Sequence, residues 1–116
     1  MSAKIINLVL EQGTDFESTF TIYNENNSRL NLFGYNATSH IKKSPYSSTY
    51  YPFSVTFPDR INGKLTLSMT KSNTLNLDGG RYVYDVVLIS PNNKTTRVIS
   101  GSVLVVPGVT LWLIIM

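Results

Sequence analysis

The chain has 116 residues, the usual size of one domain built on one hydrophobic core. Hydrophobic residues make up 42% and charged residues only 15%, so neutral Asn, Ser and Thr must cover much of the surface. Cysteine is absent, which excludes a disulfide framework and a thiolate metal site; the ten cations run from Lys4 to Arg97 with only Lys42 and Lys43 adjacent, so the net charge of +3 does not form the basic stripe of a nucleic-acid binder.

At the N-terminus, MSAKIINLVL leads straight into Glu11 and lacks a long apolar core followed by a small-residue cleavage site, so no secretion signal is expected. Ile5 to Leu10 is a compact apolar run and the first strand, ended by the turn residues Glu11 to Asp15. From Phe16 to Tyr23 the residues Phe16, Phe20 and Ile22 alternate with Glu17, Thr19 and Thr21, a period of two that predicts a half-buried strand. A polar turn over Asn24 to Ser28 follows. Leu30, Leu32 and Phe33 then form an apolar ridge, ended by Gly34, that is expected to plug one end of a sandwich.

Tyr35 to Lys42 reads as a strand with Tyr35, Ala37, Ser39 and Ile41 on one face, and Ser44 to Thr49 as an exposed loop. Phe53, Val55 and Phe57 alternate in the next strand, and Leu65, Leu67 and Met69 in the one after. The segment Pro58 to Gly63 joins the two as a hairpin. Lys71 to Leu77 reads as an irregular crossover or one helical turn. Arg81 to Ile89 is apolar on both faces apart from Asp85, the pattern of a central strand covered on each side. Thr96 to Val106 is the last long strand, closed by Pro107 and Gly108.

Seven strand-like runs with no helical period predict an all-β antiparallel sandwich over residues 1–108, with an apolar tail over 109–116. Leu77, Gly80, Tyr82 and Tyr84 are the candidate fold-determining residues, because Leu77 to Tyr84 looks like a tyrosine corner. In that motif a tyrosine near the start of the penultimate strand sends its hydroxyl back to a backbone group a few residues upstream. Tyr82 is the candidate for that role.

Little in the sequence speaks for catalysis or for a cofactor. His40 is the single histidine, within a predicted strand, and no Gly-x-Ser-x-Gly turn or phosphate-binding glycine loop accompanies it. Glu11, Asp15 and Glu17 lack the dense acidic spacing of a calcium loop, so no metal is expected. Tyr35, Tyr46, Tyr50 and Tyr51 with Lys42 and Lys43 combine aromatics and cations without a wider basic groove, so nucleic acid is not an expected partner. If Asp85 is buried it needs a counter-charge, and Arg97 on the next strand is the candidate.

Two segments point to protein contacts. The tail includes Leu111, Trp112, Leu113, Ile114 and Ile115; it is an aggregation hazard if left bare, and too short and too interrupted to span a bilayer, so no membrane is expected. Either it returns to its own sandwich as an edge strand or it lies on a neighbouring subunit. The loop from Ser44 to Pro52 carries Tyr46, Tyr50 and Tyr51 among small polar residues, a composition suited to large contact area at low entropic cost. It also suits an ordinary surface loop.

Several framework segments carry a family likeness: Glu11 to Phe16, Leu32 to Tyr35, His40 to Ser44, Phe53 to Val55, Gly63 to Met69, Gly80 to Asp85, Gly101 to Val103 and Val106 to Thr110. In these the chain resembles small tailed-bacteriophage virion proteins with immunoglobulin-like folds, related to the N-terminal domain of baseplate upper proteins. The resemblance implies a non-enzymatic structural protein of the virion, in a baseplate, tail, neck or head decoration, present in several copies and bound to other virion proteins. A carbohydrate- or receptor-binding module is the alternative. The chain departs from the pattern by stopping shortly after Val109 and Thr110 with an apolar end, which speaks for a small repeated subunit rather than a fibre.

Overall fold

Period-two patterning turns into two sheets in the computed structural model, which describes residues 3–109. The larger sheet has the order β1 (Lys4–Ile5), β9 (Thr95–Val106), β8 (Gly80–Ile89), β4 (Asn36–Lys42) and β5 (Tyr51–Pro52), with β2 (Leu8–Glu11) also paired to β9. The smaller sheet has the order β3 (Phe16–Thr21), β7 (Lys64–Met69) and β6 (Ser54–Asp59). A single helical turn, α1 (Lys71–Thr74), crosses between them. This is the strand order of an immunoglobulin-like sandwich: three strands in one sheet, and in the other the last two strands, β8 and β9, with β4 and its short hairpin partner β5 beside β8. One detail departs from an all-antiparallel expectation, since β1 and β2 both run parallel to β9.

The inner faces meet in one core. Leu8, Leu10, Ile41, Tyr82, Tyr84, Val86, Leu88, Val103 and Val105 come from the larger sheet, and Leu65, Leu67 and Met69 from β7. Leu32 and Leu77 close it from the connections. The apolar ridge after the first hairpin divides: Leu32 is fully buried and Leu30 packs on the core, but Phe33 is 76% exposed. A tight turn causes this. The Phe33 N–H donates to Asn31 Oδ1, the Tyr35 N–H donates to the Leu32 carbonyl, and Gly34 takes a φ of 81°, so the chain reverses with residue 33 at its apex.

β8 is central in its sheet, but among the described residues only one of its faces is covered. Tyr82, Tyr84, Val86 and Leu88 are buried, while Val83, Asp85, Val87 and Ile89 are half exposed on the outer face. The two-sided apolar pattern therefore marks a sheet with a partly apolar outer surface rather than a strand between two layers. In β9, Val98 is the extra residue of a bulge between the pairs Val86–Ile99 and Val87–Arg97, which turns both Val98 and Ile99 inward.

The Tyr82 hydroxyl donates to the Asp78 carbonyl at 2.8 Å, four residues upstream, which is the tyrosine-corner bond. The Lys43 ammonium stands 4.4 Å from the centre of the Tyr82 ring. Replacing Tyr82 with Phe removes this one part-buried hydrogen bond, so it is expected to cost about 1 kcal/mol, read as a shift in the urea midpoint.

Tyr84 makes a longer link in sequence: its hydroxyl donates to the Ile6 carbonyl at 2.7 Å, over Gly101 of β9 in the same sheet. Burial pushes the Tyr84 phenol up to about 12 from its ordinary value of 10.0, and loss of solvent also raises Tyr82, with help from neighbouring Tyr51 and Asp78. Both phenols are protonated in the folded and unfolded chain below pH 10. Above it the unfolded chain ionises first, so stability is expected to be flat through neutrality and to fall as the pH rises from 10 towards 12. A denaturant series over that window checks this, and Tyr84→Phe should flatten the alkaline fall.

Candidate interaction surfaces

Register determines which loops share an end. Lys42 faces Val83, Gly80 faces Val105, Glu11 faces Val106 and Phe16 faces Met69. These pairs gather the β2–β3 turn, the β4–β5 loop, the α1 crossover and the exit of the chain after β9 at one end of the sandwich. The end is tightly tied. Gln12 donates from Nε2 to the Leu77 carbonyl at 2.9 Å and accepts the Gly108 N–H on Oε1 at 3.1 Å. The fully buried Thr74 hydroxyl donates to the Thr14 carbonyl and accepts the Gly13 N–H. Asp15 accepts the Lys71 N–H, so this carboxylate holds the start of α1. Pro107 packs over Gly79, where a Cβ would stand 2.4 Å from the proline Cγ.

On this framework the loop tyrosines separate. Tyr46 is 96% exposed at the loop tip, where the Ser47 N–H donates back to the Ser44 carbonyl. Tyr50 is 50% exposed and stacks on His40, ring centres 4.1 Å apart and planes 18° apart. Tyr51 differs from its reading as a loop residue. It begins β5, pairs with Ile41, and turns its ring inward to meet Tyr82 edge-on at 6.4 Å. Strand pairing explains the difference: Tyr51 pairs with Ile41 and shares its inward face, while Tyr50, just before β5, turns to the other side. Leu111, Trp112, Leu113, Ile114 and Ile115 lie outside the described residues.

Beside the His40–Tyr50 stack the outer sheet face forms a depression of about 690 Å³, with His40, Lys42, Val83, Asp85, Arg97 and Ser100 in its lining. His40 and Asp85 face each other across β4 and β8. Arg97 Nε donates to Asp85 Oδ2 at 3.0 Å, the cross-strand pair that the sequence suggests, but both groups reach solvent on the outer face. Such a pair contributes little stability and mainly orders the surface. The neighbouring Ser39 hydroxyl points the other way and donates to the Asp85 carbonyl at 2.6 Å, so it is not aimed at His40. Chemically the depression offers an aromatic face, a carboxylate and cations, a set suited to holding polar groups.

A second surface is a groove of about 520 Å³ along the open side of the sandwich, between β1 in one sheet and β3 in the other. Ile6, Phe20, Ile22, Val98 and Ile99 contribute apolar lining, and Lys4, Thr19, Thr21 and Asn27 polar lining. Sequence reading missed this groove, because it depends on β1 joining the larger sheet and leaving β3 an edge. Among the described residues no group of three or more His, Cys, Asp or Glu could hold a metal ion, and no helix is long and apolar enough to cross a membrane.

The architecture defines the class: an immunoglobulin-like β-sandwich with a tyrosine corner. No protein-family model and no curated protein matches the sequence. Among solved structures, a family 123 glycoside hydrolase from Clostridium perfringens is similar over 90% of this chain and 23% of that one, with 12% identity and a TM-score of 0.41. The chain thus spans about a quarter of that structure, a likeness too weak to bear on activity.

Proposed function

We propose that the chain is a non-enzymatic structural protein of a tailed-bacteriophage virion, in a baseplate, tail, neck or head decoration. On this reading it assembles in the host cytoplasm, is present in several copies, and binds neighbouring virion proteins through strand edges, loops and its C-terminal segment. The sequence resemblance supports the virion setting. One structural observation carries the binding role: exposed Tyr46 and Tyr50 and the exit of the chain after Val106 lie at the same end of the sandwich, which is itself rigidly tied through Gln12 and Thr74. Aromatic contact residues on a rigid support lose little entropy on docking.

Deleting Leu111 to Met116 is expected to weaken self-association while unfolding stays cooperative, read by light scattering and a urea titration. Unchanged association would count against the interface role of the tail. The depression beside Tyr50 favours a second reading, a carbohydrate- or receptor-binding module, in which Tyr50 packs on a sugar ring and Asp85 and Arg97 take its hydroxyls. A blank glycan array with intact incorporation into particles would remove it.

A further inference from the structure

Among the described residues β3 is the end strand of its sheet; it is six residues long, and its sequence FESTFT contains one charge and no proline or lysine. Edges are normally protected by such residues, by a bulge or by a covering segment. The backbone alternation along β3 can be read from its end, where the Ile22 N–H donates to the Gly63 carbonyl and the Ile22 carbonyl accepts from Leu30. Ile22, Phe20 and Ser18 therefore direct their backbone groups toward β7, and Thr21, Thr19 and Glu17 direct theirs toward the open side. The groove between β1 and β3, with Ile6, Phe20, Ile22, Val98 and Ile99 in its lining, runs beside that same edge. A strand added there would pair its backbone with β3 and send alternate side chains into the groove.

We infer that this edge receives residues 110–116 of a second copy of the chain, an inference that rests on the multi-copy reading above. The lengths agree: the six residues of β3 extend about 20 Å, and six successive apolar residues, Leu111 to Met116, cover the same distance when extended. Chemistry agrees as well, since Leu111, Leu113 and Ile115, or Trp112 and Ile114, supply alternate apolar side chains for an apolar groove. The chain's own segment is poorly routed to the same place. β9 lies inside β2 in its sheet and the β2–β3 turn closes the side of the sandwich, so a path from Val106 to the far edge of β3 crosses that turn. Connections that cross at one end of a sandwich are disfavoured, and Pro107 packed over Gly79 starts the exit on the β8 side. A second copy meets no such obstacle.

The absence of native cysteine makes the test clean. Glu17→Cys protein is mixed, under mild oxidation, with a second preparation carrying one cysteine at position 111, 112, 113, 114 or 115. A cross-linked dimer that forms in a mixture, and far less in either preparation alone, is expected for tail positions of one alternate set. A link that forms only within a single chain carrying both cysteines would overturn the inference in favour of the chain's own segment. Thr19→Pro gives an independent reading, because a proline is tolerated where the N–H faces outward but blocks strand addition. It should abolish tail-dependent association with cooperative unfolding retained. Tail-dependent association that survives Thr19→Pro would overturn the choice of edge and leave the assembly reading intact, whereas a full-length chain that stays monomeric and docks on no virion protein would overturn both.

Discussion

Gly101→Ala is expected to destabilise the domain by about 3 kcal/mol, the upper end of the usual cost of overpacking a core. A Cβ at Gly101 would stand 2.1 Å from the Ile6 carbonyl oxygen and 2.8 Å from its carbon, both backbone atoms that cannot rotate away. The reason lies in the edge strand. Between β1 and β2 the chain breaks from the β9 ladder at Ile6 and Asn7 and turns the Ile6 carbonyl inward over Gly101. That carbonyl accepts the Tyr84 hydroxyl, the Ile6 N–H donates to the Ser100 carbonyl, and Asn7 Oδ1 takes the Ser102 N–H. A methyl group pushes the edge away and breaks the Tyr84 bond with it. Faster amide exchange over residues 4–7 should accompany the loss, and a cost below about 1 kcal/mol would mean that the break is not held this way.

Arg60→Met should cost about 2–3 kcal/mol, through loss of two hydrogen bonds from a charged donor. Arg60 sits at the tip of the β6–β7 hairpin, and its Nη1 donates to the Leu32 carbonyl at 2.9 Å and the Tyr35 carbonyl at 2.8 Å, while the guanidinium stands 4.0 Å from the Phe57 ring centre. The Arg60 carbonyl in turn accepts the Leu32 N–H at 2.7 Å. This one residue therefore clamps the connection between β3 and β4 to the β6–β7 hairpin. Met keeps the apolar stem and removes the donors together with the charge over the Phe57 ring. An equal loss in Arg60→Lys would show that planar stacking on Phe57 matters more than the count of donors; a near-neutral Arg60→Met would refute the clamp.

Strand placement was legible because period two is local: Phe16 and Phe20 in β3 with Ile22 just after it, Leu65, Leu67 and Met69 in β7, and Ser39 and Ile41 in β4 face inward as their alternation predicts. The tyrosine corner was legible for the same reason, its donor and acceptor being four residues apart. What escaped reading depends on distant partners. The Ile5–Leu10 run looks like one strand, and only Gly101 on β9 explains why it is two. Gln12, Thr74 and Arg60 look like ordinary turn residues until folding brings them to carbonyls 25 or more residues away. Phe33 and Tyr51 share a simpler failure: hydrophobic character does not say which side of a turn or strand a residue takes. For the candidate contact site, composition singled out the tyrosine loop and the tail, but register alone shows that the loop and the chain exit share an end.

The proposed assembly role is tested most directly by cryo-electron microscopy of particles purified from cells that produce this chain. The expected result is an immunoglobulin-like sandwich in several symmetry-related copies, with the end bearing Tyr46 and Tyr50 against a neighbouring protein and the segment from Leu111 in an intersubunit contact. Particles that contain no copy of the domain would contradict the account.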